Sequence, residues 1–341
     1  MSTATLNAPA AGSSKSSSGW LSALPTIASV VILILMFAYG QASYGKIIQA
    51  STLSNLLIEN AHLIVLALGL TFVILTGGID LSVGAVVAVS SLTGVMMANA
   101  GLPVWLCIVV TILIGSAFGT ISGILIQFFN VQPFIATLAM MFLARGIASM
   151  ISTDPQRLDY ESSYLWFGEK IKLNEGALRS NVVSVTPSLI VMIVLVLVAW
   201  WVLKRTRTGR TVYAIGGAEN SAQLMGLPVG RTKMSVYVIS GTLAGIASVM
   251  YTSRLGTAQN ITGVGWELDA IAAVVIGGTM LTGGYGFVFG SVVGALVLGV
   301  LKLLISRDGT VPPEATTIIT GVILLVFVLL QRVVNLKRKT T

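Results

Sequence analysis

The densest group of polar residues in this chain interrupts an apolar stretch at residues 74–84. This segment contains three glycines, two hydroxyl residues that include Ser82, and one carboxylate, Asp80. Burying a charge at membrane depth costs at least about 2.5 kcal/mol, so Asp80 needs a reason to be there. It either caps a helix that begins at Leu81, or it lines or braces a polar pathway beside a broken helix.

Further polar residues lie between or within other apolar runs. Glu267 and Asp269 follow Gly265 and are placed to open a helix, where the macrodipole favours negative charge; a role in a pathway is the alternative. Arg145 is the only basic residue of its run and is expected to extend to the interface or to pair with a carboxylate, for which Asp80 is a possible partner. Asn130 and Gln132 separate two apolar runs. Residues 276–286 contain five glycines and form a break between two spans, for which a tight turn competes with a filter-like loop.

The sequence lacks the residue patterns of the common enzyme classes. His62 is the only histidine, and no serine or cysteine motif accompanies it as a nucleophile would require. There is no G-x-x-x-x-G-K-[ST] loop for ATP and no G-x-G-x-x-G dinucleotide motif. A single cysteine, Cys107, excludes an internal disulfide and makes a structural zinc site untenable. We therefore expect no catalytic residue, no metal and no cofactor in this chain.

Composition places the chain in a membrane. Hydrophobic residues make up 55% of the 341 residues and charged residues only 9%, against about 25% charged in soluble proteins. The mean hydropathy is +0.92. The net charge is +8, and the basic residues lie between apolar runs rather than on one polar face. This distribution argues against a nucleic-acid partner and is typical of basic residues that set the orientation of a membrane protein.

We predict an all-α, polytopic membrane bundle of about ten transmembrane helices. The first apolar run covers about 21–40, for which a cleavable signal peptide is the alternative. The other spans are placed near 57–75, 82–99, 103–128, 133–151, 184–204, 231–252, 267–282, 286–304 and 315–332. The domain organisation is then a disordered tail at 1–19, one membrane domain at 20–332 and a basic tail at 333–341. Small-xxx-small patterns such as 115–119 and 290–294 indicate close helix packing.

The distribution of lysine and arginine predicts the orientation. Residues 204–233 contain six basic residues and one acid, and the C-terminal tail is basic, so both are expected in the cytoplasm. An even number of spans puts both termini there. The segment 153–183, with five acids and four bases, then lies outside.

One polar loop has the features of a short helix between two spans. Residues 218–225 suit a helix, Gly226 suits its C′ position, and Pro228 stops it. Such a helix, held at both ends by spanning segments, could transmit force from a partner; an ordinary connecting loop is the simpler interpretation.

Five motifs, in order, resemble the permeases of ribose, xylose and galactofuranose ABC importers. They are residues 71–84, 132–138, 207–217, 267–279 and 281–284. The resemblance extends over about 50–332. Residues 220–226 and 307–310 look closest to a galactofuranose permease.

The resemblance implies a permease subunit of the bacterial inner membrane that imports a monosaccharide by ATP-driven alternating access. It implies a second permease, identical or paralogous, a cytoplasmic ATPase that hydrolyses the ATP, and a periplasmic sugar-binding protein docked on outer loops such as 153–183. The short cytoplasmic helix becomes a coupling helix, whose contact residues are expected to be Glu219, Asn220, Gln223, Leu224, Met225 and Gly226.

Two other functions compete with this interpretation. A secondary transporter or channel works without ATP and needs a coupling carboxylate, for which Asp80 is the candidate. A purely structural membrane subunit needs no pathway at all.

Overall fold

The computed structural model describes residues 18–159, 161–174, 181–309, 312 and 315–340, with side chains from residue 26 to residue 329 within those ranges. The first 17 residues of the predicted tail lie outside the described part. The described residues form eleven α-helices. These are α1 (Ser18–Tyr44), α2 (Ala50–Leu75), α3 (Val83–Asn99), α4 (Val104–Phe128), α5 (Pro133–Ile151), α6 (Pro187–Arg205), α7 (Arg207–Leu224), α8 (Val229–Leu255), α9 (Trp266–Ile276), α10 (Val288–Asp308) and α11 (Ala315–Thr340).

The predicted helical membrane bundle is confirmed, whereas the count of about ten spans is not. Seven helices in the described part are long and apolar enough to cross a membrane, namely α1, α2, α4, α5, α6, α8 and α10. Helix α9 has only 11 residues, which gives a length of about 16 Å, half the hydrocarbon thickness. The predicted span 267–282 is therefore too long, because residues 277–282 belong to a turn. Helix α11 continues through most of the predicted basic tail.

Helices α2 and α8 form the centre of the bundle. Most α2 side chains are buried, which is why its sequence is apolar on every face. Helix α4 packs closely on α8 because Gly115 and Gly119 face Gly241 and Gly245, and a methyl group at any of them would lie within 3.0 Å of the other backbone. The small-xxx-small prediction for 115–119 is thus confirmed.

The segment between α5 and α6 covers one end of the bundle, here called the loop end. Strand β1 (Gln156–Arg157) pairs with β4 (Thr257–Ala258), and β2 (Ile171–Lys172) pairs with β3 (Ser184–Val185), both antiparallel. A short 3-10 helix, Ser163–Gly168, buries Tyr164 against the bundle. The β1–β4 pairing fixes the long loop to the segment between α8 and α9, whereas the β2–β3 pairing lies within the loop.

The opposite end, here called the junction end, holds the glycine-rich breaks. The chain leaves α2 at Leu75 and begins α3 only at Val83, and it leaves α9 at Ile276 and begins α10 at Val288. Gly278, Gly283 and Gly284 all have positive φ, and Met280 N–H donates to the Tyr285 carbonyl at 2.9 Å. Residues 277–287 therefore form a tight turn, which decides against the filter-like loop.

Candidate functional site

Three glycine-rich segments that are far apart in sequence meet at the junction end. A methyl group on Gly216 would overlap the Leu75 carbonyl and the Gly284 amide and would lie 2.9 Å from the Gly283 carbonyl carbon. The Gly284 amide donates to the Leu75 carbonyl at 2.9 Å. We call this contact between the end of α2, the middle of α7 and the α9–α10 turn the glycine junction. It links the loop predicted to receive a partner directly to both helix breaks.

Helix α7 changes direction next to the glycine junction. Ala218 has non-helical angles, φ −163° and ψ 99°, so the helix consists of two pieces joined at this residue. The predicted short helix at 218–225 matches the second piece only. Its predicted end is confirmed: Gly226 has φ 74°, and the Leu227 amide donates to the Ala222 carbonyl at 3.1 Å, as in a Schellman motif.

The end of this second piece projects apolar side chains out of the bundle. Leu224 is 90% exposed and Met225 68% exposed, and Asn220 and Gln223 are exposed on the same piece. Glu219 forms an ion pair with Lys233 of α8 at 2.5 Å, which fixes the start of the piece against the bundle. Exposed apolar side chains on a fixed short helix suit a protein partner.

Tyr213 adds a second contact that the sequence did not reveal. Its hydroxyl donates to the Gly286 carbonyl at 2.8 Å, and burial, with a smaller effect of Tyr285, raises the pKa of this phenol. Tyr213 thereby stays a neutral donor and holds the first piece of α7 to the α9–α10 turn. The available signal was the Gly-Gly pair that occurs both in residues 213–217 and in residues 281–284.

Asp80 lies buried at the same end, and of its two predicted roles it does not take that of a helix cap. Helix α3 begins later, with Ser82 at the N-cap. The Asp80 carboxylate accepts from the Ser82 amide at 3.0 Å and the Ser82 hydroxyl at 2.6 Å, and its other oxygen accepts from the Ser240 hydroxyl at 2.8 Å. Three donors satisfy the carboxylate and connect the break after α2 to α8. This geometry is that of a brace.

Arg145 lies near the loop end, far along α5 from the region of Asp80, and its predicted pairing with Asp80 is wrong. Its guanidinium donates to the carbonyls of Asn260 at 2.8 Å and Thr262 at 2.6 Å. Those carbonyls belong to the β4–α9 loop, so Arg145 holds the loop that leads into α9. One guanidinium nitrogen, Nη1, donates both hydrogen bonds, to carbonyls that lie two residues apart.

The two predicted acids of α9 have different environments. Both lie in the first turn, as predicted. Glu267 accepts from the Gly265 amide at 3.3 Å, which caps the helix, whereas Asp269 pairs with Lys302 of α10 at 2.7 Å.

Asn130, with φ 52°, and Gln132 are both exposed in the α4–α5 turn and lie at neither of these contacts. The structure therefore does not gather the predicted polar residues into one site.

Comparisons with known proteins agree with this architecture. A family model described as branched-chain amino acid transport system / permease component matches residues 52–328. Among curated proteins, the fructose import permease protein FruG of Bifidobacterium longum is 51% identical over 311 residues, which is 91% of each chain. The ribose import permease protein RbsC of Haemophilus influenzae is 39% identical and covers 80% of this chain and 83% of its own. The D-allose permease AlsC of Escherichia coli is 32% identical, with 80% and 81% covered.

One solved structure shares the fold. It is an ABC transporter of metal-chelate type in an inward-facing conformation, with a TM-score of 0.50 and 14% identity. The alignment covers 90% of this chain and 99% of that one. At this identity the likeness concerns the fold alone.

Proposed function

Because the chain belongs to the family of branched-chain amino acid transport system permease components, we propose that it is the permease subunit of an ATP-driven importer of monosaccharides. The observation that carries this proposal is the likeness over 91% of both chains to a fructose import permease, together with two further relatives named for ribose and allose. The substrate is a pentose or hexose monosaccharide. Fructose and ribose are the first to test, and galactofuranose remains the prediction of the sequence motifs.

The partners follow from the two ends of the bundle. A cytoplasmic ATPase docks on the second piece of α7, where Leu224 and Met225 are exposed. ATP is bound by that partner. A periplasmic sugar-binding protein docks on the loop end, and a second permease, identical or related, completes the pathway.

The topology is that of a multi-pass protein of the bacterial inner membrane with both termini in the cytoplasm. The two shorter apolar helices α3 and α11, together with the 11-residue helix α9, add to the seven long ones to make ten membrane segments. Helix α9 then enters from the loop end and stops part of the way through, which broken helices do only where protein or a cavity covers them. Five basic residues at 204–210 and 231 lie within α7 or close to its ends and support a cytoplasmic junction end.

The experiment is sugar uptake by proteoliposomes that contain this permease, its ATPase and a binding protein. ATP is supplied or omitted in the compartment that the ATPase faces, and fructose, ribose and galactofuranose are compared. Uptake that requires both ATP and the binding protein supports the proposal. Uptake without ATP, or uptake driven by a proton gradient, contradicts it and favours the secondary transporter. The three donors on Asp80 already argue against that alternative, since they satisfy the carboxylate within the protein.

A further inference from the structure

A cavity of about 510 Å³ lies at the loop end, between α2, α8, α9 and α10. It is separate from the glycine junction and from the exposed end of α7. Asn55, on its rim, accepts a hydrogen bond from Lys170 of the long loop at 2.6 Å. Its volume falls within the range of about 300–1,000 Å³ that small-molecule sites occupy.

One wall of the cavity is aromatic. His62 of α2 and Trp266 of α9 line it, with their ring centroids 4.6 Å apart. Tyr251 of α8 supports both from behind, at 4.7 Å from the Trp266 ring and 5.2 Å from the His62 ring. Three rings from three helices hold the indole in a fixed orientation beside the cavity. A fixed indole offers an apolar face next to polar groups.

The other walls carry two ion pairs. Arg254 pairs with Glu59 at 3.0 Å, and Lys302 pairs with Asp269 at 2.7 Å. Within each pair the charges balance, yet both members keep donors or acceptors that a ligand can use. The remaining charged residue of the lining, Arg307, is exposed.

These features select a chemical class of ligand. A strongly charged ligand would have to displace one member of each ion pair, whereas a neutral ligand with many hydroxyls can donate to the carboxylates and accept from the cations at once. A sugar ring has such hydroxyls around its edge and C–H groups on its face, which fit the polar walls and the aromatic wall respectively. The combination is therefore complementary to a saccharide.

We propose that this cavity is a saccharide subsite within a single permease chain, with Trp266 as its stacking platform. The choice of sugar as the class rests on the proposed function, while the existence of the site rests on the cavity itself. Asp269 and Lys302 link the subsite to α9 and α10, whose other ends meet at the glycine junction. A bound sugar would thus contact α9 and α10, the two helices whose connecting turn takes part in the glycine junction.

The test measures protection of an introduced cysteine in the purified permease alone, without a binding protein. The natural cysteine is removed by Cys107→Ala, and Ser306→Cys places a thiol in the cavity lining. Labelling by a small maleimide is followed with increasing D-fructose, D-ribose or gluconate, and with glycine betaine at equal osmolality. A thiol at Ala42, exposed at the end of α1 and outside the cavity lining, is the matched control.

A neutral sugar is expected to slow labelling at Ser306→Cys and not at Ala42→Cys. Trp266→Ala should raise the half-protecting concentration about tenfold, the loss expected for an aromatic contact, and Trp266→Phe should retain most of the protection. Trp105→Ala, which removes an indole that is 67% exposed on α4, should change nothing. Lys302→Gln, on an exposed side chain, gives a second variant that spares the core; it should also weaken protection.

Four results separate the subsite from the proposed function. Absence of protection, while the wild-type complex imports the same sugar with ATP, overturns the subsite and leaves the function intact. Protection that survives both Trp266→Ala and Lys302→Gln also overturns it, as does protection by gluconate alone. Suppose that a neutral sugar protects the purified permease in a way that depends on Trp266, while the complete complex imports no sugar. This result supports the subsite and refutes the importer.

Discussion

Replacement of Gly216 by alanine is the sharpest perturbation that the glycine junction offers. The new methyl group would meet three backbone positions, on Leu75, Gly283 and Gly284, and none of these can rotate away as a side chain can. The neighbouring Gly217 is the matched control, because a methyl group there would have no atom within 4 Å. The two substitutions are chemically identical and differ only in what the methyl group contacts.

The expected magnitude follows from the two opposing effects. Overpacking against fixed atoms costs about 1–3 kcal/mol, and the upper value applies where backbone must move. Alanine in place of glycine recovers about 1 kcal/mol of helix propensity. Gly216→Ala is therefore expected to destabilise by about 2 kcal/mol, in part by separating α7 from the Leu75–Gly284 contact. Gly217→Ala is expected to be neutral or slightly stabilising.

The assay compares thermal unfolding of the two purified variants and their ATP-dependent uptake in proteoliposomes. Gly216→Ala should unfold earlier and lose at least about nine-tenths of uptake, since 1.4 kcal/mol corresponds to a factor of ten in an equilibrium. Gly217→Ala should match the wild type in both measurements. If Gly216→Ala is as stable and as active as Gly217→Ala, the glycine junction does not constrain the protein and this reasoning is refuted.

Substitutions at three further positions test other contacts. Asp80→Asn should retain most ATP-dependent uptake, because an amide keeps an acceptor for the serine donors, whereas Asp80→Ala should destabilise by about 2–3 kcal/mol; loss of uptake in a stable Asp80→Asn would instead indicate proton coupling. Gly226→Ala should cost about 1–2 kcal/mol because of its positive φ and should weaken ATPase binding in a pull-down, while Gly146→Ala, a helical position with open space, should not. Arg145→Met should accelerate hydrogen exchange in the β4–α9 loop and leave α2 unchanged; equal exchange rates would show that the two carbonyl contacts do not hold the loop.

The sequence determined the features that depend on composition and on local backbone chemistry. A chain so poor in charge cannot cover itself with water-facing surface, so a helical membrane bundle followed directly. Gly226 and Pro228 ended a helix where predicted, because positive φ and a missing amide act locally. Glu267 and Asp269 opened α9 for the same reason, since a helix dipole acts within one turn. Family membership was carried by ordered motifs, which are also properties of the linear chain.

Only the tertiary structure decided which distant residues meet. Arg145 and Asp80 are both lone charges in apolar runs, which predicts that they pair, yet the fold places them towards opposite ends of the bundle. The length of α9 was equally hidden, because an apolar helix and an apolar glycine turn have the same hydropathy. The glycine junction and the aromatic wall each join three elements far apart in the chain. Such contacts arise from how helices pack, and periodicity within one helix carries no information about its neighbour's register.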